Sequence, residues 1–228
     1  MGRVMNAPRR LAVIAVMSFI VTFATSAAAA TSTIGILVFN GFLTSDVTAP
    51  VEVFGAATKN AWFSSYEVIV VSATKAKEAV SEEGLKIVAD RTIYDDLKLD
   101  ALIVPSSYTM NDVLKNKDLI SFIKKQSRSA SWIASNCSGA YLLGEAGVLD
   151  GKNATTWAGG EKKFADSYPK IKVQFDRNVV VDHNVITSNG GPVSYQAAFE
   201  LLAKLSSEKF ANEISERIQF ARLRNAFK

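Results

Sequence analysis

The sequence predicts an α/β domain in which a mostly parallel β-sheet is sandwiched between helices. Short, almost continuous apolar runs recur along the chain, and such runs are typical of strands that are covered on both faces. Between them lie longer segments whose apolar residues recur at helical spacing. Strands that alternate with helices in this way form βαβ units around a parallel sheet.

The first thirty residues do not follow this pattern. A basic start at 3–10 is followed by an apolar run at 11–23 and by small residues at 25–30, which supply an A-x-A cleavage site. This three-part layout is typical of a secretory signal peptide. The apolar run is shorter than the ~20 residues that a membrane-spanning helix needs. We therefore predict a signal peptide over 1–30, cleaved after Ala30.

Removal of the leader leaves one predicted domain, residues 31–228. The formal net charge falls from +4 to +1, because the leader carries three basic residues and no acidic one. A nearly neutral domain gives no reason to expect nucleic acid or an anionic membrane as a partner. We expect a bacterial protein that is periplasmic or secreted, with no membrane attachment after cleavage of the leader.

The first predicted strand, 33–39, is ended by Asn-Gly at 40–41. Residues 44–46, Thr-Ser-Asp, offer helix N-cap side chains, and apolar residues then recur on one stripe over 47–58. We predict a helix there, with Pro50 in its first turn, where proline is tolerated.

The following elements are predicted from apolar runs that are rich in β-branched residues and from helical periodicity. The strands are 66–73, 85–89, 99–104, 130–135, 173–175, 178–181 and 184–187. The helices are 93–97, 110–128 with a break near Asn116, 140–149, 192–205 and 208–226.

The segment that carries most information about chemistry is the junction between a strand and a helix at 131–143. Only Asn-Cys-Ser-Gly separates the two elements, so Cys137 must adopt a strained backbone, and Gly139 lets the helix approach the strand closely. A thiol at a helix N-terminus should have a depressed pKa. Cys137 is therefore a candidate nucleophile, and the alternative is a lone cysteine that simply packs as a small apolar side chain.

A nucleophile in such a turn needs donors for the negative charge that develops on the substrate. The backbone N–H of Ser138 directly follows Cys137, and a second donor is expected from the loop after another strand. Ser106 and Ser107 follow the predicted strand 99–104 and are the candidates for that loop, so that with Gly139 they form the predicted oxyanion and substrate-binding group.

Four stretches of the sequence, at 41–57, 100–107, 135–158 and 184–202, resemble the ThiJ/PfpI superfamily. This superfamily has the class I glutamine amidotransferase-like fold, a flavodoxin-like arrangement. The pattern Asp-x-x-x-Pro-x-Glu-Val-Phe, the Cys-Ser-Gly turn and the segment Ala-Gly-Val-Leu-Asp-Gly are most similar to the isonitrile hydratase branch and to the sensor domains of AraC-type regulators.

The resemblance implies a catalytic group of Asp46, Cys137 and Ser138. Enzymes of the hydratase branch add water to an isonitrile carbon and release an N-substituted formamide, without a metal or an organic cofactor, and relatives usually form homodimers. A carboxylate beside a thiol in a partly dry pocket can share or relay its proton. From the residues alone, Asp46 is equally well explained as a helix N-cap.

The sequence departs from the family pattern at two places. Many relatives carry a histidine where Trp157 stands here, and the only histidine of the chain, His183, lies in a predicted turn. The absence of a Cys-His pair at this position argues against protease, amidase or glutaminase chemistry. Ser106 and Ser107 replace the glycine pair that relatives carry after the third buried strand.

The sequence contains no set of residues with metal-site spacing, so no metal is expected. Gly190-Gly191 precedes a helix but lacks the Lys-Ser/Thr of a phosphate-binding loop, and it is more typical of a tight strand-to-helix turn. We therefore predict no cofactor. Glu82-Glu83 is interpreted as a solvated face.

Three functions remain open from the sequence. The first is a cysteine-dependent lyase or hydrolase that acts on a small-molecule substrate, in its most concrete form an isonitrile hydratase. The second is a redox or stress-response protein whose Cys137 is oxidised. The third is a non-catalytic ligand-binding domain that keeps the turn as a scaffold.

Overall fold

The computed structural model describes residues 1–2, 30–61 and 64–226. The predicted signal peptide lies almost entirely outside these residues. The strands are β1 Ala30–Val38, β2 Ser64–Ser72, β3 Glu78–Val80, β4 Lys86–Val88, β5 Arg91–Thr92, β6 Ala101–Val104, β7 Trp132–Asn136, β8 Asn153–Ala154, β9 Lys172–Val173, β10 Val179–Asp182 and β11 Val185–Ser188. The helices are α1 Thr44–Asn60, α2 Met110–Val113, α3 Lys117–Ser129, α4 Gly139–Glu145, α5 Glu161–Ser167, α6 Val193–Leu205, α7 Glu208–Arg217 and α8 Phe220–Ala226.

The central sheet has the strand order β10-β11-β7-β6-β1-β2-β5. Every neighbouring pair is parallel except β10 and β11, which form an antiparallel hairpin. The predicted fold class, a mostly parallel sheet between helices, is confirmed. Within β1, the adjacent residues Ile36 and Leu37 are both fully buried although they point to opposite faces, so both faces of the sheet are covered.

The topology brings three loops to one edge of the sheet. After β1 the chain moves outward to β2 and then returns to the other side of β1 to form β6 and β7. This reversal leaves a crevice at the carboxyl ends of the strands, where open α/β sheets bind their ligands. Asp46, in the first turn of α1, and Ser106 and Cys137, in the loops that follow β6 and β7, lie at this edge of the sheet.

Several predicted elements are wrong in detail. Residues 93–97 form a turn, in which the Asp95 side chain accepts a hydrogen bond from the Thr92 backbone N–H at 2.6 Å. This local bond competes with helix formation in a segment too short to hold a helix by itself. The predicted helix 208–226 is two helices, α7 and α8, which are separated at Gln219, where φ is +66°.

The helix predicted at 47–58 begins earlier, at Thr44, so that Pro50 lies beyond the first turn. The predicted strand 85–89 is one half of a separate two-stranded hairpin, β3 and β4, outside the main sheet. The predicted break near Asn116 is confirmed, because the Asn116 side chain caps α3 by accepting from the Leu119 backbone N–H at 3.0 Å.

Candidate active site

Cys137 occupies the turn between β7 and α4 with a φ of +49°, a left-handed conformation that non-glycine residues rarely adopt. The strained backbone predicted for this position is confirmed. Two hydrogen bonds stabilise the conformation: the Cys137 N–H donates to the Ser188 carbonyl at 2.8 Å, and the Thr156 hydroxyl donates to the Cys137 carbonyl at 3.0 Å. Cys137 is half-buried as a residue and is a free cysteine.

Gly139 is required by the close approach of α4 to the end of β6. A Cβ atom at this position would lie 2.5 Å from the Val104 carbonyl oxygen and 2.8 Å from the Pro105 carbonyl oxygen. Backbone atoms cannot withdraw as a flexible side chain can, so only glycine fits this position. The predicted close approach of helix and strand is confirmed, whereas a substrate-binding role for Gly139 stays a prediction.

Asp46 lies in the first turn of α1 and is fully buried. Its Oδ2 accepts from the Ser106 N–H at 3.0 Å and, through a very short bond, from the Ser106 hydroxyl. Its Oδ1 accepts from the Gly191 N–H at 3.0 Å and from the Ser194 hydroxyl at 2.7 Å. These donors come from the β6–α2 and β11–α6 regions, so Asp46 connects distant parts of the chain and is not a helix N-cap.

Glu83, and not Asp46, caps the start of α1. Its carboxylate accepts from the Thr44 N–H at 3.0 Å and from the Thr44 hydroxyl at 2.6 Å, at the start of α1. These bonds from Thr44 lower the pKa of Glu83. Glu82 and Glu83 are both exposed, as the interpretation of a solvated face predicts, and Glu83 in addition caps the helix that carries Asp46.

Pro50 has a specific consequence for the site. Because proline has no backbone N–H, it cannot donate to the carbonyl of Asp46 four residues earlier in α1. That carbonyl instead accepts from the side-chain Nδ2 of Asn136 at 3.2 Å. Asn136 immediately precedes Cys137, and its Oδ1 accepts from the Ser188 hydroxyl at 2.6 Å. The hydrogen bond from Asn136 takes the place of the missing helical bond and thus connects α1 to the residue before Cys137.

The two candidate oxyanion donors after β6 are already bonded within the protein. The Ser106 N–H donates to Asp46, and the Ser107 N–H donates to the Ser138 hydroxyl oxygen at 3.2 Å. The Ser138 hydroxyl donates in turn to the Ser107 carbonyl at 2.9 Å. The structure therefore brings Ser106, Ser107 and Ser138 together beside Cys137, while the second oxyanion donor stays a prediction.

The electrostatics of Cys137 differ from the expectation. Burial of the sulfur and, next, the negative charge of Asp46 raise the pKa of Cys137, and hydrogen bonds from Ser106 and Ser138 offset only part of this effect. Burial also raises the pKa of Asp46, although Ser106, Ser194 and Gly191 donate hydrogen bonds to it. The depressed thiol pKa predicted from a helix N-terminus is wrong, because α4 has only seven residues and the site is largely dry.

The remaining candidate residues lie in structural positions. His183 is in the turn between β10 and β11, with 78% of its side chain exposed. Its Nδ1 forms a hydrogen bond of 2.5 Å with Oδ1 of Asp182. Its predicted place in a solvated turn is confirmed. Trp157, at the position of the family histidine, stacks on Tyr141 with ring centroids 5.4 Å apart.

Among the described residues, no group of three or more His, Cys, Asp and Glu side chains is placed to hold a metal ion. In the same part of the chain, no helix is both long and apolar enough to cross a membrane.

A cavity of about 580 Å³ lies between α6, α7 and α8, but its lining does not include Cys137 or Asp46.

A doubly wound sheet with a cysteine at a strained strand-to-helix turn defines a class of α/β proteins with a nucleophile elbow. The chain belongs to the DJ-1/PfpI family, because the model of that family matches residues 32–204. The resemblance seen in the four sequence stretches is thereby confirmed.

Curated relatives of this chain have different activities. An isonitrile hydratase of Pseudomonas putida is 29% identical over 62% of this chain and 60% of its own length. A HTH-type transcriptional regulator of Pseudomonas aeruginosa is 26% identical over 64% of this chain, and a DJ-1 homolog of Arabidopsis thaliana is 29% identical over 58%. The matches span 43% and 34% of the lengths of these two relatives, respectively.

Solved structures share the fold at low sequence identity. A ThiJ/PfpI family protein from Pseudomonas syringae superposes with a TM-score of 0.74 and 22% identity, over 90% of this chain and 82% of that chain. Drosophila melanogaster DJ-1beta superposes with a TM-score of 0.71 and 17% identity, over 83% of this chain and 98% of that chain. Both structural similarities show that this chain has a flavodoxin-like fold.

Proposed function

We propose that this protein is a cysteine-dependent enzyme that adds water to the carbon of an isonitrile and releases an N-substituted formamide. The observation that carries the proposal is the position of a buried carboxyl group, Asp46, against the elbow that presents Cys137. The similarity to an isonitrile hydratase supports the choice of substrate class.

The chemistry follows from the properties of an isonitrile. Its terminal carbon carries a lone pair, so it takes up a proton and then accepts a nucleophile. In the proposed reaction the acid form of Asp46 supplies that proton and the Cys137 thiolate adds to the same carbon. Water then replaces the sulfur, which leaves as a thiol, and the product is the formamide. The raised pKa of Asp46 favours the acid form that this step needs.

The test is the conversion of an alkyl and an aryl isonitrile, followed by infrared loss of the isonitrile band and by detection of the formamide. We expect Cys137→Ala to abolish turnover while the thermal unfolding transition persists. His183→Ala, which changes an exposed turn residue, serves as the control and should retain turnover. Wild-type turnover in Cys137→Ala, or none in the wild type, would contradict the proposal.

A redox function is the second candidate, and it is favoured by the partial exposure of Cys137 and by the backbone N–H of Ser138, whose hydrogen bond lowers the pKa of the thiol. Such a donor would stabilise an oxidised, negatively charged sulfur. Intact mass measured after mild peroxide treatment tests this function. Addition of two oxygen atoms at Cys137 supports it, and an unchanged mass argues against it.

We further propose that the protein is exported and forms a homodimer. The leader-like sequence over 1–30 supports export, and the resemblance to the ThiJ/PfpI superfamily supports the dimer. Sedimentation velocity at several concentrations tests the second point, and a monomer at every concentration would contradict it. If neither turnover nor oxidation is found, a non-catalytic ligand-binding role is the remaining function.

A further inference from the structure

We propose that the cavity between α6, α7 and α8 binds a small primary amine whose ammonium group is attached to an apolar body. The cavity has a volume of about 580 Å³, which is within the range of sites for small organic molecules. Its lining includes neither Cys137 nor Asp46. Binding in this cavity is therefore independent of the proposed reaction at the elbow.

The cavity lies between one face of α6 and one face of α7. The lining residues of α7 recur at intervals of three and four, at positions 208, 211, 212 and 215, and so share one face of the helix. Those at the start of α6 and along it recur with a similar spacing from 192 to 203. Two of the facing residues, Ala203 and Ala211, have small side chains, which leave room between the helices.

α8 closes one side of the cavity through aromatic contacts. The Phe220 ring stacks on Tyr195 of α6, with ring centroids 5.4 Å apart and 24° between the planes, and its centroid lies 5.3 Å from that of Phe199. Phe199, Phe220 and Leu223 line the cavity, and 46% of Leu223 is exposed. An apolar ligand would remove such surface from water, which is favourable. This side of the cavity is thus suited to an apolar body.

The charges of the lining indicate the sign of the ligand's charge. Of the twelve lining residues, Glu200 and Glu208 are acidic and none is basic. Among the side chains that the structure describes, neither carboxylate takes part in an ion pair. Two such carboxylates beside an apolar wall attract a cation and repel an anion. Charge complementarity therefore favours a cationic ligand.

Ser215 adds a neutral acceptor to the two carboxylates. It is only 6% exposed and lines the cavity. Its hydroxyl forms no hydrogen bond with the described residues around it on α6 and α7. A primary ammonium carries three N–H donors, and the carboxylates and this hydroxyl offer acceptors for them. A quaternary ammonium has no N–H donor, so the set of acceptors favours a primary amine.

The test uses three probes that share one apolar body. At pH 7, 4-phenylbutylamine is cationic, 4-phenylbutanol is neutral and 4-phenylbutyrate is anionic. NMR titrations of the purified protein measure the three dissociation constants. We expect the amine to bind about fivefold more tightly than the alcohol, and the acid to bind more weakly than the alcohol. Equal binding of the amine and the acid, or no binding of the amine, would overturn the proposal.

Variants of the lining locate the bound amine. Glu200→Gln combined with Glu208→Gln should remove the preference for the amine over the alcohol. Glu213→Gln, on α7 but outside the lining, is the matched control and should retain that preference. Ala203→Trp should abolish binding because the larger side chain fills the cavity. Leu223→Ala changes an exposed residue and should weaken binding about threefold, since part of the apolar wall is lost.

Unchanged amine binding in Leu223→Ala, or in folded Ala203→Trp, would place the ligand elsewhere and overturn the proposal. Cys137→Ala should bind the amine as tightly as the wild type, whatever the outcome of the isonitrile assay. Loss of binding in folded Cys137→Ala would place the amine at the elbow and would also overturn it. Sedimentation velocity tests whether a second copy of the chain covers the cavity instead. A dimer that only Ala203→Trp loses would assign this surface to an interface and contradict a ligand site.

Discussion

At the residue scale, two opposing effects set the reactivity of Cys137. The left-handed turn presents the sulfur at the crevice, which favours reaction, but burial and the charge of Asp46 raise the pKa of the thiol. A raised thiol pKa means that the neutral form dominates at pH 7. Cys137 is therefore mainly a thiol at rest, and in the proposed reaction the thiolate has to be produced by transfer of its proton to a neighbouring group.

This balance predicts the main titration of Cys137. The principal rise in the alkylation rate should occur above pH 8.5, about the ordinary pKa of a cysteine. The measurement is the rate of iodoacetamide alkylation from pH 5 to 11 in the intact protein, with Cys137→Ser as the blank. A main rise centred below pH 7 would show that the thiol pKa is depressed and would contradict the effect of burial.

A second residue-scale prediction concerns Gly139. We expect Gly139→Ala to destabilise the fold by more than about 2 kcal/mol, since the new methyl group would meet two backbone carbonyl oxygens at under 3 Å. Gly55→Ala in α1 is the control, because a Cβ there meets nothing within 4 Å and alanine favours a helix by about 1 kcal/mol. Urea unfolding of both variants measures the difference. Equal stabilities would contradict the close approach of α4 and β6.

Sequence reasoning found Cys137 and Gly139 because the strand, the turn and the helix that constrain them are adjacent in the chain. It left Asp46 undecided between a helix cap and an acid. The hydrogen-bond donors to the Asp46 carboxylate are Ser106 and Ser194, which lie 60 and 148 residues further along the chain. No local sequence pattern predicts contacts at such separations. Their meeting depends on the order of the strands, which the sequence pattern leaves open.

At the element scale, the position of α1 depends on a cap from a distant hairpin. Leu43, the residue at the helix N-cap, makes no side-chain hydrogen bond, and the Glu83 carboxylate bonds to Thr44 instead. Since α1 carries Asp46, this surface contact supports the geometry of the buried site.

We expect Glu83→Ala to lower the stability by about 0.5–1 kcal/mol near pH 7, a loss kept small because the group is exposed to solvent. The pKa of Glu83 is lowered in the folded state, so its contribution is present above the ordinary carboxyl pKa and is lost as pH falls through the lowered value. Chemical unfolding of the wild type and of Glu83→Ala checks that the variant is less stable at pH 7 and that this difference is smaller at pH 3. Glu82→Ala is the neighbouring control, and an equal loss there would contradict a specific cap.

The elements that sequence reasoning missed share a physical cause. The turn at 93–97 and the break at Gln219 are decided by a single local interaction or by one backbone angle, whereas periodicity averages over a whole window. The strands of the main sheet were easier to predict, because burial on both faces leaves a continuous apolar run. The short strands β5 and β8 have two residues each, which is too few to produce a pattern.

At the scale of the whole molecule, the candidate active site depends on the reversal of strand order beside β1. The reversal places the start of α1, which follows β1, next to the loops after β6 and β7, and these segments contribute Asp46, Ser106 and Cys137. A parallel sheet with these strands in a different order would separate the three residues. The fold class alone therefore did not predict the site, and the order of the strands is the missing information.

A further prediction at this scale is that the protein is exported and that its leader is cleaved. We expect the protein recovered from the periplasm of a bacterial host to begin at Thr31, within two residues. Ala28→Leu combined with Ala30→Leu, which removes the small residues of the cleavage site, should leave the leader attached. Intact mass and N-terminal sequencing provide the readout. A full-length chain from the unaltered sequence would contradict cleavage.

We expect a cut at this position to preserve the fold and a later cut to disturb it. A chain that begins at Thr31 keeps the bond between the Thr33 N–H and the Asp100 carboxylate at 2.8 Å and retains the fully buried Ile34. A chain that begins at Gly35 loses both contacts at the centre of the sheet. We expect the first chain to unfold at the same temperature as the exported protein and the second to be destabilised by about 2–5 kcal/mol, the usual cost of removing a buried aliphatic side chain. Equal unfolding temperatures for the two shortened chains would contradict this role of the start of β1.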